Sequence, residues 1–432
     1  MDIYTINLTI LLALCGILFL FTNKNKSSPS KSSSTSSPSL LPFYTVYTLV
    51  MASDWLQGPF LYSLYRDEHL LPPSQIPTLF TTGFLSGAAS GTIIGFYADK
   101  YGRKKACLLF CPIYALSCIL TTIPSLTTLF LGRILGGIGT SLLFSVFESW
   151  LVADLKSKKI SDEQLSKTFG VMSTLNSLVA IASGVISEWL VTYTETKKSP
   201  FLLSAFLLLP ATIIISTTWK ENYAPSSPST STSSSSTPTP SLLSLLRSSP
   251  PLLSLTLTTT LFESSIYLFV FFWSPTLLSL SSSPLPFGII FSSFMTSTLF
   301  SSLLFPLLTQ YKSQYLLILL LTFSSILYLL SAYPITQQLT FWTFSALEAC
   351  IGLYFPTISV IKNKIVDDSV RAKVYGFLRI PLNIFVVAAL VLTRDSGENG
   401  FQKVFMVCSG LLMVAAGVVG VTKMDEKKEH KE

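Results

Sequence analysis

Seven ionisable residues stand inside long apolar runs of this 432-residue sequence: Asp54, Arg133, Glu148, Glu188, Glu263, Glu348 and Arg379. A charge at the centre of a bilayer costs about 2.5–3.5 kcal/mol on insertion scales, so such groups face a cavity or a partner. A guanidinium offers a rigid fork of donors that can replace the hydration of an oxyanion. Arg133 and Arg379 are therefore candidate anion-binding cations. The competing use of the same groups is static pairing, Arg133 with Asp54 or Arg379 with Glu348. Burial disfavours the charged form of a carboxylate, which makes Asp54, Glu263 and Glu348 candidate proton-coupling sites. Trp55, Gln57, Tyr354 and Asn383 either add neutral donors to this interior or simply pack helices. Five acids against two arginines is a poor balance for an anion site unless several acids are protonated or paired.

The elements that hold these groups follow from composition. The sequence is 49% hydrophobic and 12% charged, whereas soluble domains carry about 25% charged residues. Thirteen runs approach the roughly 20 apolar residues that a membrane crossing needs. They are Ile3–Phe21, then Phe43–Leu64, Gln75–Ala98, Ala106–Ile123, Thr128–Val152, Phe169–Val191 and Phe201–Thr218, then Leu252–Leu278, Phe287–Leu308, Tyr315–Ala332, Phe341–Ile361, Tyr375–Thr393 and Val404–Val421. Pro124-Ser125 marks the start of the run holding Arg133, which then lies roughly 12 Å deep at 1.5 Å per residue. Asp367-Asp368-Ser369 reads as a helix cap, placing Arg379 roughly 15 Å from the opposite side.

If the loop after the first run is cytoplasmic, inner segments hold 22 of the 29 lysines and arginines and outer loops hold five, Arg66, Lys197, Lys198, Arg394 and Lys403. That asymmetry obeys the positive-inside rule and puts the N-terminus outside and the C-terminus in the cytoplasm. The net charge of +7 is thereby a topology signal. A nucleic-acid partner would need a basic patch on one soluble face, and none is expected here. Two histidines, His69 and His430, both read as aqueous, give no metal cluster and no nucleophile–base arrangement. No cofactor and no enzymatic activity are expected. Cys107, Cys111 and Cys118, spaced four and seven apart on one helix, read as core residues.

Ser-, Lys- and Pro-rich segments divide the chain. The expected organisation is an extra N-terminal helix (1–22), a linker (23–42), a six-helix bundle (43–218), a second linker (219–251), a second six-helix bundle (252–422) and a charged tail (423–432). Asp54 and Glu263 each lie eleven residues into corresponding runs of the two halves. Matched charges in repeated halves fit a site formed by two related bundles.

The loop Gly95-Phe-Tyr-Ala-Asp99-Lys-Tyr-Gly102-Arg103-Lys104-Lys105 resembles the signature loop of the major facilitator superfamily, and Gly132-Arg133-Ile-Leu-Gly136-Gly137-Ile-Gly139 is similar to its second recurrent motif. In this loop Gly95 should permit close helix packing, Gly102 should turn the chain, Asp99 should pair with a nearby cation, and Glu148 should join Arg103 or Lys104 on the inner side. Longer strings resemble one family in particular, the eukaryotic molybdate-anion transporters: Ala52-Ser-Asp54-Trp55-Leu-Gln57-Gly58-Pro59, Leu142-Leu-Phe-Ser-Val-Phe-Glu148-Ser-Trp150, Leu261-Phe-Glu263, Glu348-Ala-Cys-Ile-Gly352 and Phe377-Leu-Arg379-Ile-Pro381. The resemblance implies an all-helical major facilitator fold, six plus six helices with one extra at the N-terminus. It also implies uptake of molybdate or a similar small oxyanion by alternating access of the two halves. Proton coupling, a monomeric state and a plasma-membrane location are the accompanying expectations. Pro356 and Pro381 are expected to kink their helices. The rival readings are a carrier of sulfate or an organic solute, and a membrane nutrient sensor that transports nothing.

Overall fold

The computed structural model describes residues 2–24, 40–158, 160–223, 249–366, 381–391 and 400–422. Every regular element among them is helical. In chain order they are α1 (Ile3–Lys24), α2 (Leu41–Trp55), α3 (Leu61–Ser63) with a π turn at Leu64–Glu68, α4 (Gln75–Tyr101), α5 (Arg103–Thr121), α6 (Leu126–Ser157), α7 (Asp162–Thr194), α8 (Ser199–Thr218), α9 (Pro250–Ser279), α10 (Phe287–Leu308), α11 (Ser313–Ala332), α12 (Gln337–Ile365), α13 (Pro381–Val391) and α14 (Gly400–Val421). Among the described residues, ten helices are long and apolar enough to cross a membrane. The bent pair Gln75–Gly91 and Ile93–Tyr101, angled by 46°, makes an eleventh.

Two expected runs differ. Phe43–Leu64 is not one helix: α2 stops at Trp55, and the chain turns through Gln57–Phe60 before α3. The cause is Pro59, which has no N–H and would clash with the carbonyl four residues back. That carbonyl, on Trp55, is taken instead by the Gly58 amide at 3.2 Å. Of Tyr375–Thr393 only α13 is described, with Pro381 its first described residue, and Arg379 and the Asp367-Asp368-Ser369 cap lie outside the described residues. Pro356 sits inside α12 without ending it. That helix runs to Ile365 and so takes Lys362 and Lys364 out of the expected loop into its last turn.

The chain forms two compact units. One holds α2–α8 together with Phe287–Ser292 at the start of α10. Its densest contact is the sandwich of α4, α6 and α5, built on small residues. A methyl added at Gly137 of α6 would meet the Gly83 carbonyl at 2.5 Å and the Gly87 amide at 2.7 Å. On the other side of α6, Ser117 of α5 donates to the Gly132 carbonyl at 2.8 Å. Ser141 to the Gly87 carbonyl and Ser86 to the Ile134 carbonyl, both 2.7 Å, stitch α4 to α6. Away from this seam, Trp150 and Trp219 stack at 3.8 Å over Phe43. Cys107, Cys111 and Cys118 are buried and reduced, as core residues.

The other unit holds α9, α11–α14 and most of α10, and α1 belongs to it. α1 buries one stripe, Tyr4, Asn7, Leu8, Leu11 and Cys15, with Tyr4 edge-on to Phe341 of α12 at 5.2 Å. Its opposite face, including Ile10, Ile17 and Leu20, is exposed, the pattern of a helix with one protein-facing and one lipid-facing side. Phe269, Phe294, Phe344 and Phe405 fill the interior.

A polar staple closes one end of the first unit. Lys197, between α7 and α8, pairs with Asp67 at 2.5 Å. Glu68 accepts from Thr196 Oγ1 at 2.7 Å and the Lys197 amide at 2.8 Å. His69, read as aqueous, is instead buried, with Nε2 2.9 Å from the Thr121 carbonyl. Partial burial of Glu68 opposes its ionisation, but the Thr196 hydroxyl, the Lys197 amide and Lys198 outweigh it and hold its carboxyl below the usual value. Because the folded-state value is the depressed one, this contribution is present above an unfolded pKa of about 4.3 and is lost as pH falls through the folded value. Replacing Glu68→Gln should remove that part of the acid sensitivity. The difference in stability between pH 7 and pH 3 should shrink in the variant, by an amount on the order of 1 kcal/mol or less, read as a smaller difference in Tm by thermal unfolding in detergent.

Candidate functional site

Arg133 occupies the α4–α6 seam eight residues after Ser125, the N-cap of α6. The absence of a side chain at Gly83 leaves it room: a methyl there would lie 2.7 Å from Arg133 Nη2 and 3.1 Å from Nε. The guanidinium lies over the Phe80 ring at 5.3 Å, a cation–π contact. Arg133 forms no ion pair among the described residues, and its Nε is buried without a hydrogen-bond partner. The buried Tyr65 hydroxyl stands beside Arg133 and Thr121.

The static pair of Arg133 with Asp54 is not formed. Asp54 takes a short hydrogen bond from the Tyr114 hydroxyl of α5 instead. Trp55 and Gln57 are turned to other tasks. Trp55 Nε1 donates to Asn176 Oδ1 of α7 at 2.8 Å, and Gln57 Nε2 donates to the Ser53 carbonyl of its own helix at 3.1 Å. Ser53 in turn donates to the Ser204 carbonyl of α8. Glu188 accepts from the Gly288 amide at 2.7 Å.

In the second unit, Glu263 of α9 meets Lys362 of α12 at 3.4 Å, and the Tyr354 hydroxyl approaches the same carboxylate oxygen at 3.4 Å. Lys362 had been read as a loop lysine. The only signal in the sequence is its position directly after the apolar run Phe341–Ile361. Glu348 of α12 is buried and accepts from Thr298 Oγ1 of α10 at 2.8 Å. Asn383 is half-buried on α13, which is tied to α9 through Ser264 and the Leu382 carbonyl at 3.4 Å.

The signature loop is built largely as its residue types suggest. Gly102 has φ +114°, a conformation that strains any side chain. Arg103 pairs with Asp99 at 2.7 Å. The residue that locks the loop is one the motif does not contain, Glu221, just beyond α8. Its carboxylate accepts from the Lys104 amide at 2.8 Å and the Lys105 amide at 3.2 Å, an anion at the N-terminus of α5. Lys104 Nζ donates to the Ser216 and Trp219 carbonyls, and the Arg103 amide donates to the Asn222 carbonyl. Glu148 stands apart from this network: it is exposed and its electrostatic neighbour is Tyr47. Gly95 makes no close contact either, since a methyl there would meet nothing within 4 Å.

Known proteins are similar to this chain over most of its length. Residues 3–353 match the MFS_5 family model, described as sugar transporters with 12 transmembrane segments. The molybdate-anion transporter of Xenopus laevis is 32% identical over 388 residues, spanning 86% of this chain and 83% of that protein. That of Danio rerio is 31% identical over 413 residues, spanning 86% and 84%.

This chain belongs to the molybdate-anion transporter family.

The fold is that of major facilitators. A peptide transporter of the POT family superposes with a TM-score of 0.71 over 88% of this chain and 96% of its own at 12% identity. The D-xylose–proton symporter superposes with 0.68 over 87% and 95% at 11%. As a member of that family the chain is a multi-pass membrane transporter and not an enzyme.

The Glu221 lock gives a direct check. Glu221→Ala leaves two amides at the start of α5 without their charged acceptor and should cost about 1–3 kcal/mol. Glu221→Gln, which keeps one acceptor oxygen, should cost less. Thermal unfolding of the purified full chain reads both, and equal stability of Glu221→Ala and the parent would contradict the assignment.

Proposed function

We propose that this protein moves molybdate across a membrane as a secondary transporter, with Arg133 as the principal anion-binding group of the first unit. One observation supports it above the others: Arg133 sits half-buried in the α4–α6 seam with its Nε enclosed, and among the described residues no acid pairs with it. Leaving a cation unpaired at such depth is costly, and an entering oxyanion supplies what the fold withholds. The Tyr65 hydroxyl provides a neutral donor beside it. The family model covers sugar carriers, but a neutral sugar would leave the guanidinium uncompensated. The curated relatives are named for molybdate, a tetrahedral dianion that matches a forked donor. Arg379 is the proposed second cation and Asn383 a proposed supporting donor; Trp55 and Gln57 would join them only on release from Asn176 Oδ1 and the Ser53 carbonyl.

Carrying a dianion inward against a negative interior costs about 2.3 kcal/mol per charge per 100 mV. Co-transport of protons offsets that cost. The proposed carriers are Asp54, Glu263 and Glu348, each already held by a donor that can accommodate a change of charge: Tyr114, Lys362 with Tyr354, and Thr298. Exchange between inward- and outward-open states, with the protein monomeric in the plasma membrane, N-terminus outside and C-terminus cytoplasmic, completes the reading. The Lys and Arg asymmetry supports that orientation.

Labelled molybdate should accumulate in proteoliposomes holding the full chain, and more so with an inward proton gradient. Arg133→Gln should reduce the initial rate about 10- to 100-fold, the loss expected for one charged hydrogen bond, while the protein stays folded. Accumulation at the parent rate would overturn the role of Arg133. No accumulation by the parent would favour the sensor reading.

A further inference from the structure

We propose that the Lys312 end of the second unit carries a binding site for the headgroup of an anionic phospholipid, separate from the transport path. A cavity of about 370 Å³ opens there between the end of α10, the start of α11 and the end of α12. Its chemistry is two-sided. Phe305 and Leu316 form an apolar wall suited to an acyl chain, and Lys312, Lys364 and Ser313 form a polar mouth.

The mouth matches a phosphate in three respects. Two ammonium groups line one cavity of headgroup size, and Lys312 is held over the Tyr315 ring at 5.9 Å. The 20-residue α11 starts at Ser313 with no acidic residue in its first turn and no side-chain cap. Its terminal amides and positive end are thus oriented toward an anion. Ser313 makes no hydrogen bond among the described residues, so its hydroxyl is a further donor.

Depth points the same way. Tyr311 and Tyr315 are 61% and 65% exposed beside the cavity, as aromatic residues are at the boundary between hydrocarbon and headgroups. A free anion from the aqueous phase would use the lysines but not the apolar wall. A phospholipid uses both, and basic pockets between helices on the cytoplasmic side are where anionic lipids bind. In the proposed orientation this end faces the anionic leaflet. Neither Arg133 nor any proposed proton carrier lines the cavity, so occupancy would regulate stability without contributing to transport chemistry.

The test is thermal unfolding of the purified full chain in neutral detergent with three additives: dioctanoyl phosphatidylserine, dioctanoyl phosphatidylcholine and inorganic phosphate. The serine lipid alone should raise Tm in a saturable way. A Lys312→Gln/Lys364→Gln variant should need about 30-fold more lipid for half the effect, from a loss of about fivefold per lysine. Ser313→Glu is the control for folding. An acid in the first turn stabilises the helix but repels the phosphate, so this variant should be at least as stable as the parent and blind to the lipid. Equal shifts from phosphatidylcholine, a shift from phosphate alone, no shift at all, or an unchanged response in Ser313→Glu would each overturn the proposal.

Discussion

Placing a permanent positive charge at membrane depth is the constraint on which the first unit is organised. A guanidinium does not lose its proton in a protein, so Arg133 cannot escape the cost of burial by neutralising. The fold meets that cost in part through contact with Phe80 and Tyr65 and withholds an acid. Geometry makes this possible. Gly83 vacates the volume the guanidinium fills, and Gly137 lets α6 approach α4 closely enough to hold it there. The hydroxyl-to-carbonyl stitches along the same seam fix the register of the two helices and therefore the position of the charge.

Seen this way, the surplus of acids over arginines stops being a contradiction. Four of the five acids have their own attachment: Asp54 to Tyr114, Glu188 to the Gly288 amide, Glu263 to Lys362 and Tyr354, and Glu348 to Thr298, while Glu148 is exposed. Most of these donors are neutral. They satisfy carboxylate oxygens without drawing on the arginine, which under the proposed function is left for an entering anion. The Glu263–Lys362 pair, with 3.4 Å between its atoms, is looser than the Asp99–Arg103 pair at 2.7 Å. Charge-assisted bonds are strongest near 2.7–2.9 Å, so the second is the firmer brace.

Much of this was legible from residue types. Apolar length located nearly every helix, and the place of Arg133 eight residues into its helix followed from the Pro124-Ser125 start. The Asp99–Arg103 pair and the Gly102 turn follow from chemistry that local spacing enforces. What escaped were partners brought together by packing. Glu221 lies 117 residues from the Lys104 amide it caps, and nothing near Glu221 in the chain announces that role. Lys362 looked like a loop residue because apolar composition falls away before the helix itself ends. The break in α2 was written in Gly58-Pro59, but an apolar run continues across it and conceals the interruption. Gly95 shows the converse error: a motif glycine taken for a packing contact that the structure does not make.

The most direct test is to locate the anion itself. Crystals of the full chain grown with molybdate, and measured at the molybdenum absorption edge, give an anomalous peak wherever the metal sits. The account expects that peak within hydrogen-bonding reach of the Arg133 guanidinium through the anion's oxygens, beside Tyr65. A bound molybdate found elsewhere, with Arg133 still unoccupied, would contradict it.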